Sequence, residues 1–383
     1  MTKPAYLLPT MAEVAATPRN GLRSISLFAG AGGSSLGHRM AGYRVLWANE
    51  IIPLAAQTYA LNKAAGTALD TRDVRSITPQ EVLDTICLKK GELDLMDGSP
   101  PCSSFSTIGR GASEWGKQHR YGQSANVLRT DDLFFEYVRM LDGIQPRAFV
   151  AENVTGMVKG VSRGYFLTVL AMFKDCGYRV TAKIVNAAWL GVPQARKRMI
   201  FVGIREDLGI DPPFPDPLPY GYSMREVFPY MTRIGTAPAL REFTEDPVSA
   251  FKPPDQPCPT VVTLVNEGVG LCITRATGGA GGVLDPRDVT VDPETGFDLD
   301  YPPRELYRGK ARRILAKGGV SAGFRPTPGG VRRYTLAELR SIFSFPADFT
   351  LTGDYAARWE RLARSVPPLM MKAVTERVAK VLT

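Results

Sequence analysis

Four short stretches of the chain carry residue types that could do chemistry. Cys102 lies in Asp97-Gly98-Ser99-Pro100-Pro101-Cys102-Ser103-Ser104. A thiolate is a strong nucleophile, and two prolines ahead of it restrict the backbone and fix where the sulfur stands. A lone cysteine is more often a small buried hydrophobe; the stiff loop around Cys102 reverses that expectation. Glu152, in Val150-Ala151-Glu152-Asn153-Val154, comes straight off an apolar run, where a carboxylate can act as an acid or a hydrogen-bond partner. Gln194-Ala195-Arg196-Lys197-Arg198 precedes another apolar run. Alternation puts Gln194, Arg196 and Arg198 on one face, a pattern that a solvated basic edge would also show. The fourth stretch is Phe28-Ala29-Gly30-Ala31-Gly32-Gly33. Its glycines let the backbone approach a ligand, and the helix it opens offers free N–H groups. Glu50 follows Gly30 by 20 residues (50 − 30), the separation at which a carboxylate meets ribose hydroxyls. Asp73 could accept from an adenine amino group, although taken alone it reads as a surface carboxylate.

These residues need elements to hold them. Strand-like runs are expected at 24–29, 44–48, 93–96, 148–151 and 199–203. Helix-like runs lie at 79–88, 132–141 and 165–175. Strands alternating with helices predict a parallel, doubly wound α/β sheet, a Rossmann-like arrangement in which ligands gather at the carboxyl ends of the strands. After about Arg205 the texture changes. Asp211-Pro212-Pro213, Lys252-Pro253-Pro254 and Gly278-Gly279-Ala280-Gly281-Gly282 punctuate it, and a smaller irregular domain is expected there. Helical periodicity returns at 335–343 and 369–381. The expected organisation is a catalytic and cofactor-binding domain over 1–205, a target-recognition domain over 206–331, and a segment over 332–383 that completes the first.

Composition sets bounds on this reading. The 383 residues are 44% hydrophobic and 22% charged, with a formal net charge of +9, which suits a polyanionic partner. The five cysteines form no C-x-x-C pair and the only histidines are His38 and His119, so neither a disulfide framework nor a metal site is expected. No signal peptide and no apolar run of membrane-spanning length is apparent. A cytoplasmic monomer that associates with the nucleoid through DNA is the expectation.

The four stretches, in their order and spacing, resemble the DNA (cytosine-5) methyltransferase family. The resemblance continues through Arg332-Arg333-Tyr334-Thr335, Glu338 and Phe345-Pro346 to Ser365-Val366-Pro367-Pro368, and covers the chain from about Ser24 onward except its middle domain. It implies an enzyme that binds double-stranded DNA, flips a cytosine out of the duplex and transfers a group from S-adenosylmethionine to carbon 5. Cys102 would add to carbon 6, Glu152 would contact and help protonate N3, and Arg196 would bind the carbonyl side of the base, with Arg198 beside it. For the cofactor, the resemblance implies Phe28 near the adenine, Glu50 on the ribose and Asp73 at the adenine amino group. Ala29, Gly30, Gly32, Gly33, Ile51, Pro101, Leu133, Ser365 and Val366 would complete the pocket. The loop from Ser103 to Gln123 resembles a mobile lid, and Arg275, Arg287, Arg312 and Arg325 are candidate DNA contacts.

The chain departs from the family pattern twice. Ser103 stands where the family has glutamine. Arg364 stands where it has an asparagine beside the cofactor. Two positive charges about 6 Å apart repel by roughly 3 kcal/mol at an effective dielectric near 20, so Arg364 conflicts with a bound sulfonium. Three readings follow. Arg364 turns to a phosphate or an acidic side chain; the site is inactive; or the cofactor is carboxy-S-adenosylmethionine, whose added carboxylate pairs with the guanidinium. A tRNA cytosine-5 methyltransferase would share the same motifs.

Overall fold

The structure is a computed structural model that describes residues 3–101, 119–120, 127–128, 132–158, 162–194, 196–222, 224–228, 282–284, 331–333 and 336–383. Its helices are α1 (Met11–Ala16), α2 (Gly33–Met40), α3 (Pro53–Asn62), α4 (Pro79–Ile86), α5 (Leu133–Ile144), α6 (Ser162–Asp175), α7 (Met224–Val227), α8 (Leu336–Ile342), α9 (Tyr355–Arg364) and α10 (Pro368–Leu382). Its strands are β1 (Arg23–Leu27), β2 (Arg44–Asn49), β3 (Ala68–Asp70), β4 (Leu95–Gly98), β5 (His119–Arg120), β6 (Val127–Leu128), β7 (Ala148–Val154), β8 (Tyr178–Asn186), β9 (Lys197–Arg205), β10 (Gly282–Leu284) and β11 (Val331–Arg333). Two compact units emerge. The sheet unit comprises Met11–Asn186, Lys197–Asp216 and Ser365–Thr383; the other comprises Met1–Thr10, Ala187–Arg196 and Pro217–Arg364.

In the sheet unit seven strands run in the order β3-β2-β1-β4-β7-β9-β8. β1, β2, β3, β4 and β7 are parallel, as expected for helices interposed between strands. At the far edge the sheet becomes mixed, since β9 is antiparallel to both β7 and β8. The connection from β8 to β9, residues 187–196, is shorter than the dozen or more residues a parallel crossover needs. β8 itself was not expected. It is an edge strand in which exposed Arg179, Lys183 and Ile184 interrupt half-buried residues, so its apolar signal is weak.

The core of this unit is aromatic. Phe134, Tyr137, Phe149, Phe173 and Phe201 are all buried, and their rings meet mostly edge-on, with Phe149 and Phe173 centroids 4.4 Å apart. α4 starts at a capping box, in which Thr78 accepts from the Glu81 amide while the Glu81 carboxylate accepts from the Thr78 amide, with Pro79 in the first turn. α2 is buried along its whole length. It packs on α10 so closely that a Cβ at Gly37 would stand 2.7 Å from the Pro368 carbonyl oxygen and 2.8 Å from the Met371 Cβ. In the other unit β10 pairs antiparallel with β11.

Candidate active site

The glycine loop sits between β1 and α2, where several backbone positions turn left-handed. Gly30 and Gly32 have φ of 57° and 95°, and Phe28 has φ of 53°, which is strained for a bulky side chain. A Cβ on Gly30 would meet nothing within 4 Å, whereas one on Gly32 would touch the Tyr59 ring at 3.0 Å. Space therefore opens over Gly30 and closes behind Gly32. The loop is held from β2. The Ala29 amide donates to the Asn49 carbonyl at 2.9 Å, and the buried Glu50 carboxylate accepts from the Gly30 and Ile52 amides, both at 2.7 Å. A carboxylate has about four lone-pair sites, so Glu50 can shape this loop and still accept from vicinal hydroxyls. Glu50 and the open side of Gly30 fit the ribosyl part of a nucleoside cofactor.

Farther along the same edge, Asp73 accepts from the Arg75 amide and pairs with the Arg75 guanidinium at 3.0 Å; Arg75 also pairs with Asp132 at 2.6 Å. One arginine thus joins Asp73 to the residue ahead of Leu133, which is buried. Sequence reading passed over Arg75, and an arginine two residues from a candidate acceptor was the available signal.

The cysteine loop leaves β4. Leu27 pairs with Gly98, and Gly98 with Ala151, so the glycine loop and the Ser99–Pro101 stretch leave β1 and β4 level with Glu152 in β7. Gly98 is required there, because a Cβ would lie 2.5 Å from the Tyr137 ring. The Asn153 side-chain amide donates to the Pro100 carbonyl at 3.3 Å, tying the root of the loop to β7. Cys102 and the expected lid from Ser103 to Gln123, apart from β5, lie outside the described residues. So do Arg275, Arg287, Arg312 and Arg325.

The Arg198 Nε stands 2.9 Å from the Glu152 Oε1, with both side chains largely buried. Arg196 belongs to the other unit. It is 2% exposed, donates Nη2 to the Ala363 carbonyl at 3.0 Å, and has its guanidinium carbon 5.5 Å from the centre of the Phe343 ring. The shared face expected for Gln194, Arg196 and Arg198 is corrected, since β9 begins only at Lys197 and alternation cannot run through the residues before it. Arg364 pairs with Glu360 one turn earlier in α9, at 2.8 Å. Ser365 and Val366 are buried in the sheet unit, directly ahead of α10.

Behind these loops lies a polar cluster the sequence reading missed. Ser24 and Ser26 of β1, Ser34 and His38 of α2, and Asp97 of β4 are all buried. The Ser26 hydroxyl donates to Asp97 Oδ2 at 2.9 Å, the His38 Nδ1 is 3.1 Å from the Ser24 Oγ, and the His38 Nε2 is 3.9 Å from Asp97 Oδ2. Two serines spaced i, i+2 in an otherwise apolar buried strand were the signal.

Comparison with known proteins follows the same lines. The profile of the family described as C-5 cytosine-specific DNA methylase matches residues 22–247. The chain is 33% identical to the type II methyltransferase M.MthTI of Methanothermobacter thermautotrophicus over 358 residues, covering 93% of this chain and 96% of that protein. It is 28% identical to the type II methyltransferase M.NgoFVII of Neisseria gonorrhoeae over 356 residues, covering 91% and 84%. Among solved structures, a Spodoptera frugiperda DNMT2 variant aligns over 94% of this chain and 99% of that one, with a TM-score of 0.59 at 17% identity.

Proposed function

The chain belongs to the C-5 cytosine-specific DNA methylase family, and from that premise we propose that it modifies cytosine at carbon 5 in double-stranded DNA through a covalent bond to Cys102. It is a group-transfer enzyme of the S-adenosylmethionine-dependent class. The observation that supports the proposal is the register Leu27–Gly98–Ala151, which brings the start of the glycine loop and the Ser99–Pro101 stretch ahead of Cys102 level with Glu152 in β7.

The bound cofactor supplies an electrophilic carbon on a sulfonium. This chain's own residues do the rest. Glu50 and the loop over Gly30 hold the ribosyl part. Cys102, as thiolate, forms a bond to carbon 6 of the flipped cytosine, and the electron pair released makes carbon 5 nucleophilic. Glu152 hydrogen-bonds N3 and keeps negative charge from building on the ring. After transfer, loss of the carbon 5 proton and expulsion of the Cys102 sulfur restore the aromatic ring. Arg198 orients Glu152 and supplies the cationic partner on that side of the base. Arg196 holds the carbonyl of Ala363.

The group transferred is methyl in the first reading, because Arg364 is drawn to Glu360 and its charge is locally balanced. Arg364 itself, placed immediately before the buried Ser365, supports a second reading: transfer of carboxymethyl from carboxy-S-adenosylmethionine. The deciding experiment is mass spectrometry of nucleosides from duplex DNA incubated with either cofactor and with both in competition. The first reading expects 5-methylcytosine alone, and none with Cys102→Ala. Dominant 5-carboxymethylcytosine that reverts with Arg364→Asn would establish the second. Modification of tRNA in preference to duplex DNA would overturn the DNA assignment.

A further inference from the structure

The buried cluster of Ser24, Ser26, Ser34, His38 and Asp97 is not used by the reaction as described, yet it lies beside both the glycine loop and the root of the Cys102 loop. Ser26 lies just ahead of the glycine loop and Ser34 just after it, while Asp97 lies just ahead of the Cys102 loop. Its atoms are not evenly satisfied. Asp97 Oδ1 and His38 Nε2 are fully buried without a hydrogen-bond partner. In a native interior such pairs of atoms are rare and call for an explanation.

The groups facing Asp97 can be named element by element. From β1 come the hydroxyls of Ser24 and Ser26, and from α2 those of Ser34 together with the His38 imidazole. From β7 comes the Glu152 carboxylate, from α5 the Tyr137 phenol, and from α3 the Tyr59 phenol. The Gly98 amide adds one donor. No lysine or arginine stands among the main causes of the pKa shift of this carboxyl. His38 contributes no charge either, since burial lowers its pKa to about 3. Burial raises the pKa of Asp97 to about 7, with the Glu152 charge adding to it and the Ser26 and Ser34 hydroxyls opposing. A proton on Asp97 Oδ2 would supply the His38 Nε2 with a donor, although Oδ1 still has no hydrogen-bond partner among the described residues. With Nδ1–H donating to Ser24, the His38 Nε2 is an acceptor, and a small closure of the 3.9 Å gap lets the acid donate to it.

A carboxyl in this position lacks only a cation. We infer that Asp97 is a proton store coupled to the glycine loop: it is a neutral acid bonded to His38 in the empty protein, and it loses its proton when a positively charged cofactor enters the loop. The inference rests on the reading that this loop holds S-adenosylmethionine. The released proton goes to solvent, no other bond changes, and the carboxylate is left accepting from Ser26 and Ser34. Asp97 is a positioning residue in this scheme. Its two states grip the ends of the glycine loop differently and set the root of the Cys102 loop accordingly.

The sign of the linkage follows. A cation nearby lowers the pKa of Asp97, so affinity for the cofactor rises with pH through the Asp97 titration. S-adenosylhomocysteine has the same nucleoside and amino-acid groups but a neutral sulfur, and it lacks this coupling. For a one-unit shift the affinity ratio of S-adenosylmethionine to S-adenosylhomocysteine rises about tenfold from acid to alkaline pH.

The experiment is titration calorimetry of the full-length protein with each ligand at pH 6, 7 and 8, in two buffers of different ionisation enthalpy. A net proton release near neutrality is expected with S-adenosylmethionine, absent with S-adenosylhomocysteine and absent for both ligands with Asp97→Asn. Asparagine keeps the acceptor for Ser26 and offers an N–H to His38, and its folding is checked by circular dichroism. Difference infrared spectroscopy of the wild-type protein gives an independent reading, as loss of one carboxylic-acid C=O band on adding S-adenosylmethionine alone. Equal proton release for the two ligands, release that survives in Asp97→Asn, or no change in the carboxylic-acid band overturns the inference. Failure of both ligands to bind overturns the cofactor reading beneath it.

Discussion

At the scale of single residues, the pair of His38 and Asp97 has a thermodynamic signature. In the unfolded chain Asp97 loses its proton above about pH 4, whereas the folded protein keeps it to about pH 7, so this group's contribution falls as pH rises through that window. His38 takes a proton below about pH 6.5 when unfolded and refuses it when folded until about pH 3, so its contribution falls as pH drops. The two slopes are opposite, each about 1.4 kcal/mol per pH unit, and they cancel between about pH 4 and 6.5. Asp97→Asn removes one of them. Its unfolding free energy is expected to climb with pH by about 1.4 kcal/mol per unit relative to wild type across that window, which urea denaturation at several pH values will show. The Glu152–Arg198 pair gives a second outcome. Arg198→Ala leaves a largely buried carboxylate without its partner, and a stability loss of about 3 kcal/mol is expected. Arg198→Lys is expected to restore part of the stability and less of the turnover, because lysine keeps the charge but loses the planar fork. Chemical denaturation paired with single-turnover rates separates the two effects.

At the scale of elements, the contact between α2 and α10 is set by the absence of a side chain at Gly37. Gly37→Ala drives a methyl into the Pro368 carbonyl and the Met371 Cβ. A loss of about 1–3 kcal/mol is expected from overpacking, and with it a weaker grip on cofactor, since α2 begins at the end of the glycine loop. Thermal melts with and without S-adenosylhomocysteine measure both. Much of this architecture was legible beforehand. Short runs with buried Ile25, Leu27, Leu95 and Met96, each leading into glycine, marked β1 and β4, despite the serines and aspartate they also carry. β8 was hidden because an edge strand with Arg179, Lys183 and an exposed Ile184 carries a mixed pattern. The Glu50 position was legible from its distance to Gly30, as a local consequence of one β-α-β unit. The partner of Glu152 was not. Which of two arginines two residues apart faces a carboxylate depends on where β9 starts, and that is decided by pairing with β7 and β8. The His38–Asp97 contact joins residues far apart in the chain, beyond the reach of any periodic pattern.

At the scale of the whole molecule, the net charge of +9 belongs with a polyanionic substrate. If binding neutralises several phosphates, the affinity for duplex DNA falls by about tenfold or more between 50 and 200 mM salt, roughly independently of sequence. Fluorescence anisotropy across a salt series tests this; a flat response would rule out phosphate contacts as the main source of affinity. The pairing of α2 with α10 also bears on how the protein is made. The Tyr43 hydroxyl, just beyond α2, donates to the Thr375 carbonyl of α10, and Gly37 rests on Pro368 and Met371. On a ribosome, α2 emerges well before residues 368–382 and must wait for them. Until they arrive, a helix buried along its whole length has one side bare, so the nascent chain carries an unfinished cofactor cradle that depends on chaperones or on speed. A product truncated before residue 368 therefore lacks the helix that covers α2 and, with it, one wall of the cradle.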